Sequence, residues 1–411
     1  MSALPLSDVK VLDLTRLLPG GFCSLLLADL GAEVLKVEDT GMGDYIRWAP
    51  PYYGSEEQQA LGTRSSLYLS LNRGKRSVRL DLKSDRGKEA LLRLIAEHDV
   101  VLDGFRPGVL DKLGVGYERM REENPRVVYC AITGYGQDGP YAQRAGHDMN
   151  YLGLVGLLGL TGAKDGPPVQ SAGQIADLGG GALMAAFGVM AALHERERSG
   201  EGQMVDVSMA DGALSWLAMV AGRYFCDGEV PRRGEQMLAG GIVCYLPYEA
   251  ADGWVSCGAL EPKFWASFCE GVERPDLIEK QFEAPGSDAW QEVAAIFRSR
   301  SREEWKGFND ERDCCIEPVL DLDEALDSEL ARSREMVVEL EQPELGTVRQ
   351  LGHPVKLSRT PADPTRPAPA FGEHTDEVLA EVGYLPEEIA AMKESGAAAG
   401  PAAAPQGKFR A

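Results

Sequence analysis

The stretch AGHDMNYLG, residues 145–153, puts an ionisable pair, His147 and Asp148, at the mouth of a run rich in Leu, Val and Gly. The chain has only five histidines. Imidazole and carboxyl groups are the usual carriers of protons in general acid–base catalysis. Both residues precede a helical run, where backbone N–H groups point outward. An imidazole set against apolar surface is expected to stay neutral and basic near pH 7. Two further acids open helical runs: Asp177 in GQIADLGGG and Glu261 in GALEPKFW. Each also has an ordinary structural explanation. Asp is a common N-cap, and Pro262 after Glu261 marks a helix start.

Basic residues gather in three places. LNRGKRSVRLDLK (71–83) carries Arg73, Lys75, Arg76, Arg79 and Lys83; GFRPGVLDKLG (104–114) carries Arg106 and Lys112; Arg144 lies just before His147. Cations at strand ends suit a ligand with several phosphates, which Arg grips bidentately.

The elements that must position these groups alternate. VKVLDL (9–14), AEVLKVE (32–38), SVRLDL (77–82), VVLDGF (100–105) and RVVYCAI (126–132) read as strands, with FCSLLLADLG and DRGKEALLRLIAEHD (85–99) as helices. Strand–helix–strand units of this length predict an open, parallel α/β sheet, with ligands beyond the carboxyl ends of its strands. Helical runs follow over 148–160, 177–200 and 208–226. The GGG of the second predicts close packing against another backbone. The chain is expected to divide into a large domain over 1–229, a smaller α+β domain over 230–330 with a hairpin turning at Asp252-Gly253, a returning segment over 331–395 and a disordered Ala/Pro/Gly tail over 396–411.

Composition bounds the function. With 64 acidic against 42 basic residues the net charge is −22, and no basic surplus exists to neutralise a nucleic acid. PGGFCS after the first strand lacks the G-x-G-x-x-G of dinucleotide binders, although Glu38 ends the second strand where a ribose-binding acid would stand. The eight cysteines form no CxxC pair and no zinc spacing, so no metal site is expected, and reduced, buried thiols are. No basic-then-apolar leader and no apolar run near the roughly 20 residues of a membrane span are visible. The expectation is a cytoplasmic protein without a membrane partner.

AGHDMNYLGLVG, GQIADLGGGALMA, GFRPGVLDKLGVG, ITGYGQDGPYAQRAGHD, GALEPKFW and GEHTDEVLAEVGY together resemble the family III CoA transferases, over about residues 6–395. Within them GHD-x-NY resembles the alpha-methylacyl-CoA racemase branch. The resemblance implies a Rossmann-like domain built from both chain ends, a small inserted domain, and a homodimer of interlocked subunits. It implies His147 and Asp177 as the two acid/bases, Glu261 as the acid orienting His147, and Asp148 in the same site. CoA contacts fall on Leu80, Asp81, Leu82 and Lys83, on Gly104, Phe105 and Arg106, on Lys112, and on Gly146, Asn150 and Tyr151. The acyl group is expected on the apolar helix after Tyr151 and around Trp254 and Phe264. No separate cofactor is implied; CoA enters as part of the thioester substrate. Relatives carry an Arg after the second strand where this chain has Asp39, with Arg47 or Arg73 as substitutes.

The implied activity is racemisation of 2-methyl-branched acyl-CoA thioesters. A proton leaves one face of the α-carbon and returns to the other through an enolate, with N–H groups near Asp177 as donors to its oxygen. Two alternatives remain open: a CoA transferase working through Asp177, and an acyl-CoA-binding subunit without turnover.

Overall fold

The computed structural model describes residues 4–55 and 61–402. It divides into two compact units. The larger takes the chain up to Leu152, Gly173–Ser215 and everything described from Leu330 on; the smaller takes Gly153–Ala172 and Trp216–Glu329. The division thus falls at 215/216 where 229/230 was expected, and Gly153–Ala172 goes with the smaller unit.

Six strands of the larger unit are β1 (Lys10–Asp13), β2 (Glu33–Glu38), β3 (Lys75–Leu80), β4 (Val100–Asp103), β5 (Val128–Thr133) and β6 (Met204–Ser208). In the smaller unit β7 (Tyr245–Ala250), β8 (Gly253–Gly258) and β9 (Ile316–Pro318) form an antiparallel sheet. Back in the larger unit, β10 (Val337–Gln342) and β11 (Gly346–Leu351) make a hairpin, and β12 is Ala398–Ala399. The main sheet runs β12-β3-β2-β1-β4-β5-β6, parallel except for β12. Chain order reverses between β1 and β4, which makes that crevice the topological switch point where open α/β sheets take their ligands.

The tail corrects an expectation. Ala398 pairs with Leu80 and Ala399 with Arg79 on the sheet edge, so at least this part of the 396–411 segment is ordered. Small residues with bare backbone can add to an open edge without a hydrophobic side chain to announce it. Residues 403–411 lie outside the described residues.

Helix limits differ from the sequence reading for local reasons. The first helix, Leu17–Asp29, begins before Pro19-Gly20-Gly21. Pro is tolerated in a first turn, whose N–H groups have no intrahelical partner. Gly20 is needed there because a Cβ would sit 2.1 Å from the Thr15 hydroxyl. The run 148–160 breaks into Asp148–Leu154 and Leu157–Leu160 at Gly156, whose φ is +85°. The expected helical run over 208–226 divides into the helices Met209–Ser215 and Ala218–Asp227.

The second long run forms a π-helical segment, Ile175–Leu183, continued by the α-helix Met184–Ser199. Together they make a 25-residue helix, long and apolar enough by length and composition to cross a membrane, against the expectation that no run approached that length. It packs against the first helix, the helix Met209–Ser215, β5 and β6, with Ala176, Gly179, Gly180, Gly181 and Ala182 buried. The glycines do meet another backbone. A Cβ on Gly180 would lie 2.6 Å from Met209 O, and one on Gly212 would lie 2.1 Å from Gly180 O.

Charge orders the strand ends. Asp13, at the end of β1, is buried and accepts from Ser24 Oγ at 2.6 Å and Lys75 Nζ at 3.2 Å, with Lys36 Nζ at 4.0 Å. Burial pushes its carboxyl up, but the two lysines and the hydroxyls of Ser24 and Thr15 outweigh it and bring the pKa to about 2. Lys36 also pairs with Asp44 at 3.0 Å. One carboxylate therefore ties β1, β2, β3 and the first helix together.

Gly212→Ala should destabilise the larger unit by about 1–3 kcal/mol, because the new methyl meets carbonyl backbone rather than a mobile side chain. Urea and thermal unfolding measure it; an unchanged midpoint would contradict the close approach of Gly180 and Gly212.

Candidate active site

Asp148 starts the helix Asp148–Leu154 and is buried, 2% exposed. Its Oδ1 accepts from the backbone N–H of Ala176 at 2.6 Å and of Asp177 at 3.1 Å. The carboxylate thus caps the long apolar helix from outside and fixes the backbone of Asp177 to that of Asp148. The Leu178 N–H is bonded to Gln174 O at 2.8 Å. The N–H groups at this helix start, expected as donors to an enolate oxygen, are therefore already engaged, which corrects that assignment. Asp148 Oδ2 is buried without a hydrogen-bond partner.

Asp177 is half-buried. Burial first, and then the neighbouring Asp148 charge, raise its carboxyl to about 6, while His147 pulls it down. His147 and Asp177 are therefore within electrostatic reach of each other. The imidazole is exposed, where an apolar setting was expected, and the His147 backbone N–H is held by Asn150 Oδ1 at 3.0 Å. Asn150 thereby shapes the loop from within it. Tyr151 donates its hydroxyl to Gly146 O at 2.6 Å, and its ring lies where a Cβ on Gly146 or Gly134 would fall, 2.6 Å away in each case. Tyr135 packs edge-on against it at 5.1 Å. Burial, then Asp177, Tyr135 and Asp148 raise the Tyr151 phenol, and Arg106 lowers it. Arg106, on the loop after β4, is exposed and within electrostatic reach of Tyr151.

Gly104 stands against Thr15, where a Cβ would lie 3.4 Å from Thr15 Cβ, so the loops after β1 and β4 touch. Phe105 N–H is held by Asp103 Oδ1 at 2.7 Å. Leu80 is buried; Asp81 and Leu82 are half-buried; Lys83 and Lys112 are exposed. The Asp81 N–H bonds Ala397 O at 2.9 Å and its carboxylate accepts from Lys83 N at 3.0 Å.

Most of the basic cluster over 71–83 is not free for a ligand. Arg73 is buried and forks onto Asp29 at 2.9 and 2.7 Å; Lys75 belongs to the Asp13 network. Arg76 pairs with Glu33, Glu377 and Glu381. Arg79 holds Gly400 O at 2.9 Å and lies over the Phe371 ring at 4.0 Å. Arg47 is likewise buried and bidentate to Glu38, at 2.8 and 2.6 Å. Neither Arg47 nor Arg73 can stand in for the Arg absent at Asp39. Glu38 is taken by Arg47, not left at a ribose site. The residue that sequence reasoning missed is Arg16, exposed directly after β1 and paired with Asp39 at 2.7 Å. Its signal was a cation immediately following the first strand.

Glu261 lies in the smaller unit, exposed at the N-cap position of Pro262–Gly271, and its side chain makes no cap hydrogen bond. Of the eight cysteines six are buried, and Cys226 is exposed. Among the described residues no group of three His, Cys, Asp or Glu is placed to hold a metal ion.

The sequence pattern of CoA-transferase family III matches residues 6–375. The chain belongs to that family. It is an acyl-CoA enzyme of the family, and its relatives divide between two activities. It is 37% identical over 393 residues to the alpha-methylacyl-CoA racemase of Mus musculus, covering 93% of this chain and 95% of that one. It is also 37% identical over 396 residues to the succinyl-CoA:mesaconate CoA-transferase of Haloarcula hispanica, covering 92% and 96%. A CAIB/BAIF family protein from Brucella suis has the same fold, with a TM-score of 0.80 at 29% identity over 93% of this chain and 100% of that one. Overall identity therefore does not choose between racemase and transferase.

Asp177→Asn tests the site's electrostatics. The folded carboxyl titrates near 6 and the unfolded one near 3.8. The folded state thus binds the proton more tightly, and ionising Asp177 costs stability as pH rises from about 4 to 6. The variant should be more stable than the native chain at pH 7.5 by about 1–2 kcal/mol, allowing for screening at a half-buried group, with the gap closing below pH 4. Urea midpoints across pH measure this; a pH-independent difference would contradict the raised carboxyl.

Proposed function

We propose that this chain is a racemase of 2-methyl-branched acyl-CoA thioesters, with His147 and Asp177 as the opposed acid/bases. The observation that carries the reading is the Asp148 clamp, which holds a carboxyl of pKa about 6 within electrostatic reach of an imidazole. A two-base racemase needs each group to accept a proton in one direction and give one in the other. Groups titrating near the working pH do both. In one direction the unprotonated base takes the α-proton, the C–H electron pair passes into the thioester as an enolate, and the protonated group on the opposite face delivers its proton to the same carbon. Glu261 is proposed to orient His147, as carboxylates commonly fix an imidazole tautomer. Lys83, Arg106, Lys112 and the loop 146–151 are proposed to hold the CoA portion.

A cavity of about 1250 Å³ in the smaller unit, lined in part by Leu157, Leu160, Leu246 and Trp290, supports an apolar acyl group. Trp254 and Phe264 are not among its lining residues. An apolar pocket separates substrates by only about 1–3 kcal/mol per methylene, so a broad acyl range is expected. A homodimer is proposed as well. Leu183, Phe187 and Met190 are 41%, 74% and 40% exposed at the spacing of one helical face, an apolar stripe that a second copy would cover. The proposed location is the cytoplasm.

The second reading is a CoA transferase that uses Asp177 as nucleophile, and the equal identity to the Haloarcula enzyme favours it. The two are told apart with one enantiomer of 2-methylacyl-CoA in D₂O and no acceptor acid. The racemase incorporates α-deuterium and forms the epimer, and His147→Ala lowers both at least about 100-fold. Absence of exchange across several 2-methylacyl-CoAs, with CoA transfer surviving in His147→Ala, would establish the transferase instead. Light scattering at micromolar concentration should give twice the chain mass; a monomer would refute the dimer.

A further inference from the structure

Four cations that leave strand ends or the loops beside them are buried in ion pairs: Lys36, Arg47, Arg73 and Lys75. Arg16 is different. It follows β1, on one side of the β1–β4 crevice, and its side chain is 39% exposed. Its partner Asp39 follows β2 and is 40% exposed. Asp39 Oδ1 is occupied by the N–H groups of Gly41 at 2.8 Å and Gly43 at 3.1 Å, which leaves Oδ2 to accept from Arg16 at 2.7 Å. The guanidinium lies 5.7 Å from the centre of the Phe105 ring, one residue from Arg106. Two exposed arginines thus flank the switch-point crevice, one on each side.

The backbone beside Arg16 is strained. Leu17 has a φ of +61°, a conformation that is costly for an L-residue with a side chain and collects at ligand sites. Its N–H is directed at Asp44 Oδ1, at 3.3 Å. The kink turns the chain sharply between strand and helix and leaves Arg16 at the rim.

An exposed ion pair contributes little to stability, because water screens both charges. Arg16 can therefore exchange Asp39 for a phosphate at small cost, whereas the buried arginines cannot leave their carboxylates without stranding a buried charge. We propose that Arg16, held ready by Asp39, grips a phosphate of the nucleotide end of the thioester across the crevice from Arg106. This rests on the acyl-CoA reading above and adds a binding residue to it. Asp39 positions that residue without touching the ligand.

The test is calorimetric, with free CoA and pantetheine as probes on the full-length protein. Arg16→Ala should weaken CoA binding roughly ten- to a hundred-fold, the range for one charge-assisted contact, and leave pantetheine binding unchanged. The exchange R16D/D39R, which keeps the pair and moves its cation across to the β2 side, should recover at least half of that loss on a logarithmic scale, while R16D alone should not. Arg16→Lys serves if the alanine variant unfolds, and should fall between native and R16D. Native-like CoA binding by Arg16→Ala, or equal weakening for CoA and pantetheine, would overturn the proposal. A native chain that binds no CoA at all would instead overturn the acyl-CoA reading.

Discussion

The site depends on one carboxylate. Asp148 Oδ1 accepts two backbone N–H groups, from Ala176 and Asp177, and so joins the start of one helix to the start of another. Charge-assisted bonds of this kind are among the stronger ones in proteins, and this one is buried. It does two things at once. It fixes where the Asp177 side chain begins, and it places a negative charge beside it. Asp148 Oδ2 is buried and unpartnered, and burial first, then the Asp148 charge, hold the Asp177 carboxyl up near 6 against the pull of His147. An alanine here would remove the cap and the charge together; an asparagine would keep part of the first and lose the second.

A second constraint is how the chain uses its cations. At net charge −22 it is a poor host for a polyanion unless positive charge is concentrated locally. The sheet takes Lys36 and Lys75 for Asp13, Arg47 for Glu38 and Arg73 for Asp29. These pairs bind strands and helices to one another, and breaking one leaves a buried charge that costs several kcal/mol. Arg16, Lys83, Arg106 and Lys112, on the segments that follow strands, are by contrast exposed. A few well-placed arginines at a crevice bind phosphate without any global basic surplus.

Much of this was legible in the sequence. Strands β1 to β5 fall within two residues of the apolar runs that suggested them, because buried parallel strands read as continuous hydrophobic stretches. The hairpin at Asp252-Gly253 and the close packing of GGG also followed from local chemistry. The break at Gly156 and the π-helical geometry of Ile175–Leu183 did not, since a glycine inside an apolar run carries no mark of its dihedral angle. The basic run over 71–83 misled for a different reason. Its partners Asp29, Glu377 and Glu381 lie far away in sequence, and nothing local distinguishes a cation that will be paired from one that will not. Arg16 was overlooked for the converse reason: a single Arg makes no cluster. His147, Asp148, Asp177 and Glu261 were found by motif, and for three of them the fold supplied the connection that spacing could not, through the 29-residue reach from Asp148 to Asp177 N–H.

The two activities among the relatives make different demands on Asp177. A nucleophile that opens a thioester must be ionised and exposed enough to be attacked in turn, and a raised pKa lowers its ionised fraction at neutral pH only slightly. An acid/base must hold both protonation states in usable amounts, and here the raised value matters, because it brings the carboxyl close to the range of an imidazole. The charge on Asp148 serves the second demand directly. For the first it is indifferent in the resting enzyme, and it would favour the neutral acyl-aspartate once formed. What separates the activities is therefore the exposed imidazole of His147: a transferase working through one carboxylate has no step for it, whereas proton return on the opposite face requires such a group. The His147 imidazole and the Asp177 carboxyl, raised to about 6, lie within electrostatic reach of each other, and two such groups are what proton removal on one face and return on the other would require.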